Sequence, residues 1–146
     1  VFLEAARKQP DALILSYPVY DHTLHRGRYI ARLVTRAWNF LEVLGPKLKD
    51  TMCGFRVYPL EAAISSGTRG NRMDFDIEIP VRMVWRGVPV CNQPVAVRYL
   101  SQEEGGVSHY RLFHDTLLIS VLHTRLVTEG ILRLLTWPAR RLLRRP

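Results

Sequence analysis

Short apolar runs bounded by proline or glycine alternate along this chain with segments whose apolar residues recur every three and four positions, and that alternation limits the fold to α/β. Ala12–Tyr17 (ALILSY), between Pro10-Asp11 and Pro18, suits a buried strand. Pro18–His25 reads as a loop. From Arg26 to Leu44 the residues Tyr29, Ile30, Leu33, Val34, Ala37, Trp38, Leu41 and Leu44 mark one apolar helix face, which Gly45-Pro46 closes. A strand over Gly54–Tyr58 follows, then a short helix over Leu60–Ser65 opened by Pro59 and ended by Gly67, with a turn over Gly67–Asn71. Pro80 confines the next helix to a start near Ile77, because proline is tolerated only in a first turn; Gly87 ends it. Val88–Tyr99 alternates as a strand, and Pro89 and Pro94 give it an edge position or a bend. After a polar loop over Gln102–Val107, Tyr110–Thr128 is a second long amphipathic helix.

The 146 residues can bury one core, and 47% hydrophobic with 23% charged residues is an ordinary globular composition. Val1–Arg7 reads as the middle of a helix, so the sequence reads as a piece of a longer chain. Cys53 and Cys91 have no CxxC partner; two reduced, buried thiols or one disulfide satisfy them. The net charge of +8 is concentrated late: residues 109–146 carry 7 Lys/Arg against 2 Asp/Glu. Such a surface attracts polyanions, but zinc-finger spacing and ribonucleoprotein aromatics are missing, so nucleic acid is not expected. Ile131–Arg145 is too short and too charged to span a bilayer. It forms either a basic amphipathic tail in a membrane interface, split by Pro138, or a terminal helix packed on protein. The domain division that follows is 1–128 for the globular part and 129–146 for the tail.

Three clusters could carry chemistry. In Asp50-Thr-Met-Cys-Gly-Phe-Arg56 an acid, a glycine and an arginine meet at a loop-to-strand junction; Asp50 and Arg56 could equally form a structural ion pair. In Met73-Asp-Phe-Asp-Ile-Glu78 the carboxylates Asp74, Asp76 and Glu78 could supply a general base or a metal ligand, or favour the positive end of a helix. In Gly105-Gly-Val-Ser-His-Tyr-Arg111 a glycine turn leads to Ser108, His109 and Arg111 at a helix start, a phosphate-binding arrangement.

Together and in this order, the segments DTMCGFRVYP, FDIEIPVRMVWRGVPVCNQPVAVRY and GVSHYR resemble family-two glycosyltransferases of the dolichyl-phosphate mannose synthase type, over about residues 10–115. The resemblance implies the carboxy-terminal half of a GT-A (Rossmann-like) mixed sheet flanked by helices. It also implies transfer of a sugar from a nucleotide-sugar donor to a lipid-linked or polyprenyl-phosphate acceptor, with inversion. Asp76 or Asp74 would attend the acceptor nucleophile, and Asp50 with Arg56 would shape the donor–acceptor junction. Ser108, His109 and Arg111 would hold phosphate, and Glu78 would contribute to substrate binding or, more in keeping with its position, anchor the helix. A divalent cation, Mg2+ or Mn2+, is expected, with its Asp-x-Asp ligands upstream of Val1. The half bearing that motif lies outside this sequence, so the piece alone is expected to be inactive. The implied setting is cytoplasmic, peripheral on the inner membrane face, with an anionic membrane surface as a partner. Two alternatives are a non-catalytic module that binds a phosphorylated ligand and a hydrolase built on the three carboxylates, whose crowding disfavours glycoside hydrolysis.

Overall fold

In a computed structural model, residues 1–20, 26–98, 105 and 110–142 are described. The chain runs α1 (Phe2–Lys8), β1 (Leu13–Tyr20), α2 (Arg26–Val43), β2 (Arg56–Val57), α3 (Leu60–Ile64), α4 (Met73–Trp85), β3 (Val90–Val97) and α5 (Leu112–Leu142). It is a mixed α/β fold with a small sheet in the order β2-β1-β3 and helices around it. β1 pairs with β3 in parallel over its whole length, from Leu13↔Val90 to Tyr20↔Val97, and with β2 antiparallel at Ile14 and Leu15. β2 is shorter than the strand expected over Gly54–Tyr58.

Pro18 does not end β1 but lies within it, opposite Val95. A proline removes one ladder donor, and β2 reaches only Ile14 and Leu15, so Pro18 falls where one side of β1 has no described strand beside it. Pro94 sits in β3, an edge strand among the described residues, as its sequence implies.

The core gathers Leu13 and Leu15 of β1, Val43, Leu48, Leu122 and Leu126, and the run Ile77–Val84 of α4. Every residue of that run is buried, which makes α4 the central helix. It starts four residues before the expected Ile77, at Met73, so Pro80 stands in the interior and not in the first turn. The α4 end is conventional: Gly87, at φ 85°, takes the left-handed position, and the Val88 N–H returns to the Met83 carbonyl at 3.1 Å.

α2 ends at Val43, one residue early, with Leu44 in the left-handed region at φ 52° and the Gly45 N–H on the Phe40 carbonyl. Its apolar face is not the buried one. Thr35, Asn39, Glu42 and Val43 point inward, whereas Ile30, Leu33, Val34, Leu41 and Leu44 are exposed. α5 is one helix of 31 residues, continuous through the expected boundary at 128/129 and through Pro138. Residues 143–146 of the tail lie outside the described residues. Among the described residues no helix is long and apolar enough to cross a membrane.

Candidate functional site

The loop before β2 is folded by its own side chains. The Asp50 carboxylate accepts the backbone N–H groups of Met52 and Cys53, both at 2.8 Å, the local closure that makes aspartate a turn residue. Its other oxygen pairs with Arg32 of α2, so the ion pair of Asp50 is with Arg32 and not with Arg56. Asn39, buried on the inward face of α2, donates to the Thr51 hydroxyl at 2.8 Å and fastens the same loop.

The Arg56 side chain is buried and is the hub of the region. Its guanidinium donates to the carbonyls of Thr51 (2.6 Å) and Cys53 (2.8 Å), to the Tyr58 hydroxyl (3.1 Å) and to the Asp76 carbonyl (2.7 Å). The last bond explains how an interior proline is accommodated. In a helix the Asp76 carbonyl would accept from the N–H of residue 80, and Pro80 has none. Arg56, entering from another segment, supplies the missing donor. Its guanidinium also lies 3.6 Å from the Asp76 carboxylate, which is itself 38% exposed.

The three carboxylates of α4 divide by environment. Asp74 accepts the Arg72 N–H at 3.0 Å and holds the helix start. Gly70 is needed beside it, since a Cβ there would stand 2.6 Å from the Phe75 nitrogen. Glu78 is fully buried and accepts the N–H groups of Arg69 (2.9 Å) and Gly70 (2.7 Å), Arg82 Nε (2.6 Å) and Arg125. Burial opposes its ionisation, but the two backbone N–H groups and Arg82 outweigh it and hold the carboxyl below its ordinary range. With four donors on it, Glu78 has no capacity left for a substrate and is a structural anchor. Arg82 and Arg125 pass the connection to Glu129, which fastens α5 to α4. Asp76, with no backbone N–H shown on its carboxylate, keeps it part exposed beside Arg56.

The third cluster is described only in part: Ser108 and His109 lie outside the described residues, while Gly105 turns at φ 82° and Arg111 is exposed. The Arg111 N–H is taken by the Asp115 carboxylate at 2.7 Å, which caps α5. That bond, with His114, holds Asp115 below its ordinary range. Arg72, one residue before α4, lies 3.6 Å from Asp115. The segments 50–56 and 73–78 therefore meet at the first turn of α4 through Arg56–Asp76, and Arg72, just before that turn, ties the start of α5 to it through Asp115.

Beside this junction lies an open cleft of about 260 Å³, at the carboxyl end of β1 and along α2. Tyr17, Tyr20 and Tyr29 wall it, with Arg32, Arg36, Lys49 and Asp50. Three cations face one carboxylate that Arg32 already neutralises, and Lys49 stands 4.2 Å over the Tyr17 ring. A cleft at the carboxyl end of a parallel strand, basic and aromatic together, suits an organic phosphate.

Of the cleft residues the sequence reading singled out only Asp50 for the site, because Arg32 and Arg36 read there as the polar side of a helix. It also missed the buried pair Glu42–His123, 2.6 Å apart, with the Trp38 ring stacked on His123 at 5.5 Å. The one available signal was an acid within an otherwise apolar stretch of α2.

Cys53 and Cys91 are free, the former accepting a hydrogen bond from Ser16 at 2.8 Å. No set of three His, Cys, Asp or Glu residues placed to hold a metal exists among the described residues. The Asp74-Phe-Asp76 pair does not fit a cation, since Asp74 caps the helix and Asp76 faces Arg56. Comparison with protein-family models, with curated proteins and with solved structures finds no match to this chain.

Proposed function

We propose that this chain is the carboxy-terminal part of a nucleotide-sugar-dependent glycosyltransferase of the GT-A type, with a lipid-linked acceptor such as a polyprenyl phosphate. The observation that supports this reading is the meeting of the Asp50–Arg56 and Met73–Glu78 segments at the start of α4, where Asp76 keeps a part-exposed carboxylate, while Asp50 of the same junction lines a basic, tyrosine-walled cleft. Arg36 and Lys49 would bind the acceptor phosphate, and Arg32 would stay with Asp50. An acceptor oxygen attacks the anomeric carbon, the bond to the nucleoside diphosphate breaks, and the diphosphate leaves. A phosphate acceptor is already anionic, so Asp76 orients it and need not remove a proton; a hydroxyl acceptor would give its proton to Asp76. The divalent cation implied by the resemblance would take its ligands from outside the described residues. Association with the inner face of a membrane is part of the same reading.

Calorimetry with a short-chain prenyl phosphate tests it. Binding is expected, with Arg36→Ala and Lys49→Ala each weakening it about tenfold through loss of a charge-assisted contact. Nucleotide sugars should bind this chain only weakly. In a preparation competent for transfer, Asp76→Asn lowers kcat by about 10²-fold and leaves donor affinity unchanged. No binding of the prenyl phosphate, or an Asp76→Asn effect confined to melting temperature, overturns the reading.

A further inference from the structure

Among the described residues, three buried polar atoms beneath α2 have no hydrogen-bond partner: Asn39 Oδ1, Glu42 Oε2 and, on the α5 residue that meets Glu42, His123 Nε2. Apolar side chains would hold the helix down better, since a buried polar atom left unpaired costs its desolvation. Residues that break this rule without a local return mark places where geometry is being set. Of these three, Asn39 is the one bonded to the segment that lines the cleft.

Residues 47–51 bridge the two walls of that cleft. On one side Asn92 of β3 accepts the Lys49 N–H at 3.1 Å and donates to the Lys47 carbonyl at 2.9 Å, which ties the segment to the sheet bearing Tyr17 and Tyr20. On the other side Asn39 donates to the Thr51 hydroxyl at 2.8 Å, which ties it to the helix bearing Arg32 and Arg36. Lys49 and Asp50, between those two fastenings, complete the cleft. The Arg32–Asp50 ion pair links the same parts, but an arginine has several rotatable bonds and can follow a moving loop. Asn39 is short and buried and meets a fully buried threonine, so close packing lets its bond form in one place only. We infer that Asn39 is a positioning residue of the cleft: through Thr51 it fixes Lys49 and Asp50 against α2, and so sets the gap between Lys49 and Arg36 that a phosphate must span. Its part in binding rests on the reading of the cleft as a phosphate site; the placement of the loop does not.

Variants that separate shape from hydrogen bonding test it. Asn39→Leu combined with Thr51→Val replaces both partners by apolar groups of similar shape, so the melting temperature should hold or rise. Thr51→Ser keeps the hydroxyl and removes a buried methyl, so the melting temperature should fall. Calorimetry with a short-chain prenyl phosphate should give the reverse order, with affinity about fivefold weaker for Asn39→Leu/Thr51→Val and within about twofold of the wild type for Thr51→Ser. Amide exchange supplies a measurement without ligand. The Met52 and Cys53 N–H groups, both held by the Asp50 carboxylate, should exchange about tenfold faster in the double variant, while those of residues 77–84 keep the wild-type rate. Should the double variant not fold, Thr51→Val alone takes its place in both measurements. Unchanged exchange at Met52 and Cys53 overturns the proposal, and so does affinity that follows melting temperature across the variants. A wild type that does not bind prenyl phosphate, with exchange still raised in the variant, refutes the phosphate reading and leaves Asn39 as the residue that places the loop.

Discussion

Arg56 and Pro80 form one device although they are far apart in sequence. The proline orphans the Asp76 carbonyl and the arginine satisfies it. Arg56→Ala should cost about 3 kcal/mol, since it leaves several buried acceptors unpaired. Pro80→Ala restores a helical N–H to Asp76, so the double variant should recover about 1 kcal/mol of that loss in a double-mutant cycle. Strict additivity in urea denaturation would refute the coupling. Glu42 supplies a second expectation. Burial raises its carboxyl above the ordinary 4.5 in spite of His123 beside it. The stabilisation from its protonated form is full below pH 4.5 and is lost as pH rises through the raised folded value. Glu78 and Asp115 act in reverse, contributing above their ordinary values of 4.5 and 3.8 and losing that contribution as pH falls through the depressed ones. Stability should therefore climb as pH is lowered from neutral toward 4.5 and fall in stronger acid. Glu42→Gln should abolish the climb and keep the acid fall, and thermal melts across this range measure both. An unchanged slope would mean that Glu42 is not the group responsible.

At the scale of elements, α2 ends on a residue that does not favour its conformation. Leu44 holds the left-handed position with its side chain 63% exposed, so Leu44→Gly removes steric strain and loses no packing. A gain of about 0.5–1 kcal/mol is expected, read as a higher melting temperature; a loss would show that Leu44 makes a contact worth more than its strain. The helix also shows where sequence reading stops. Its span and the sharing of one face by Ile30, Val34, Leu41 and Leu44 were legible, because periodicity reports which residues lie together. It does not report which face is inward, and here Asn39 and Glu42 face inward because Thr51 and His123 come from elsewhere to meet them. The start of α4 was missed for a similar reason: the donor that excuses Pro80 lies on β2. The end of α5 was missed because Pro138 and Gly130 weaken a helix without ending it. The candidate site divides in the same way. Asp76 and Arg56 were legible as motif residues, whereas the saturation of Glu78 by four donors and the Arg32–Asp50 pair depend on contacts between segments.

For the molecule as a whole, the order in which parts can form follows from the β1–β3 pairing. Leu13 meets Val90, so about half the chain must be gathered before the first bond of that ladder closes. Closing so long a loop costs entropy that nothing local repays, and parallel pairing of this kind is slow. Helices α2 and α4, held by short-range contacts, have no such wait. During synthesis β1 leaves the ribosome long before its partner exists, carrying the apolar run Ala12–Leu15 without a neighbour on that side. The cleft takes one wall, Tyr17 to Tyr20, from the end of this same strand, so that wall is fixed in place only when the ladder closes. A chaperone that shields one short strand would protect that wall until its partner arrives.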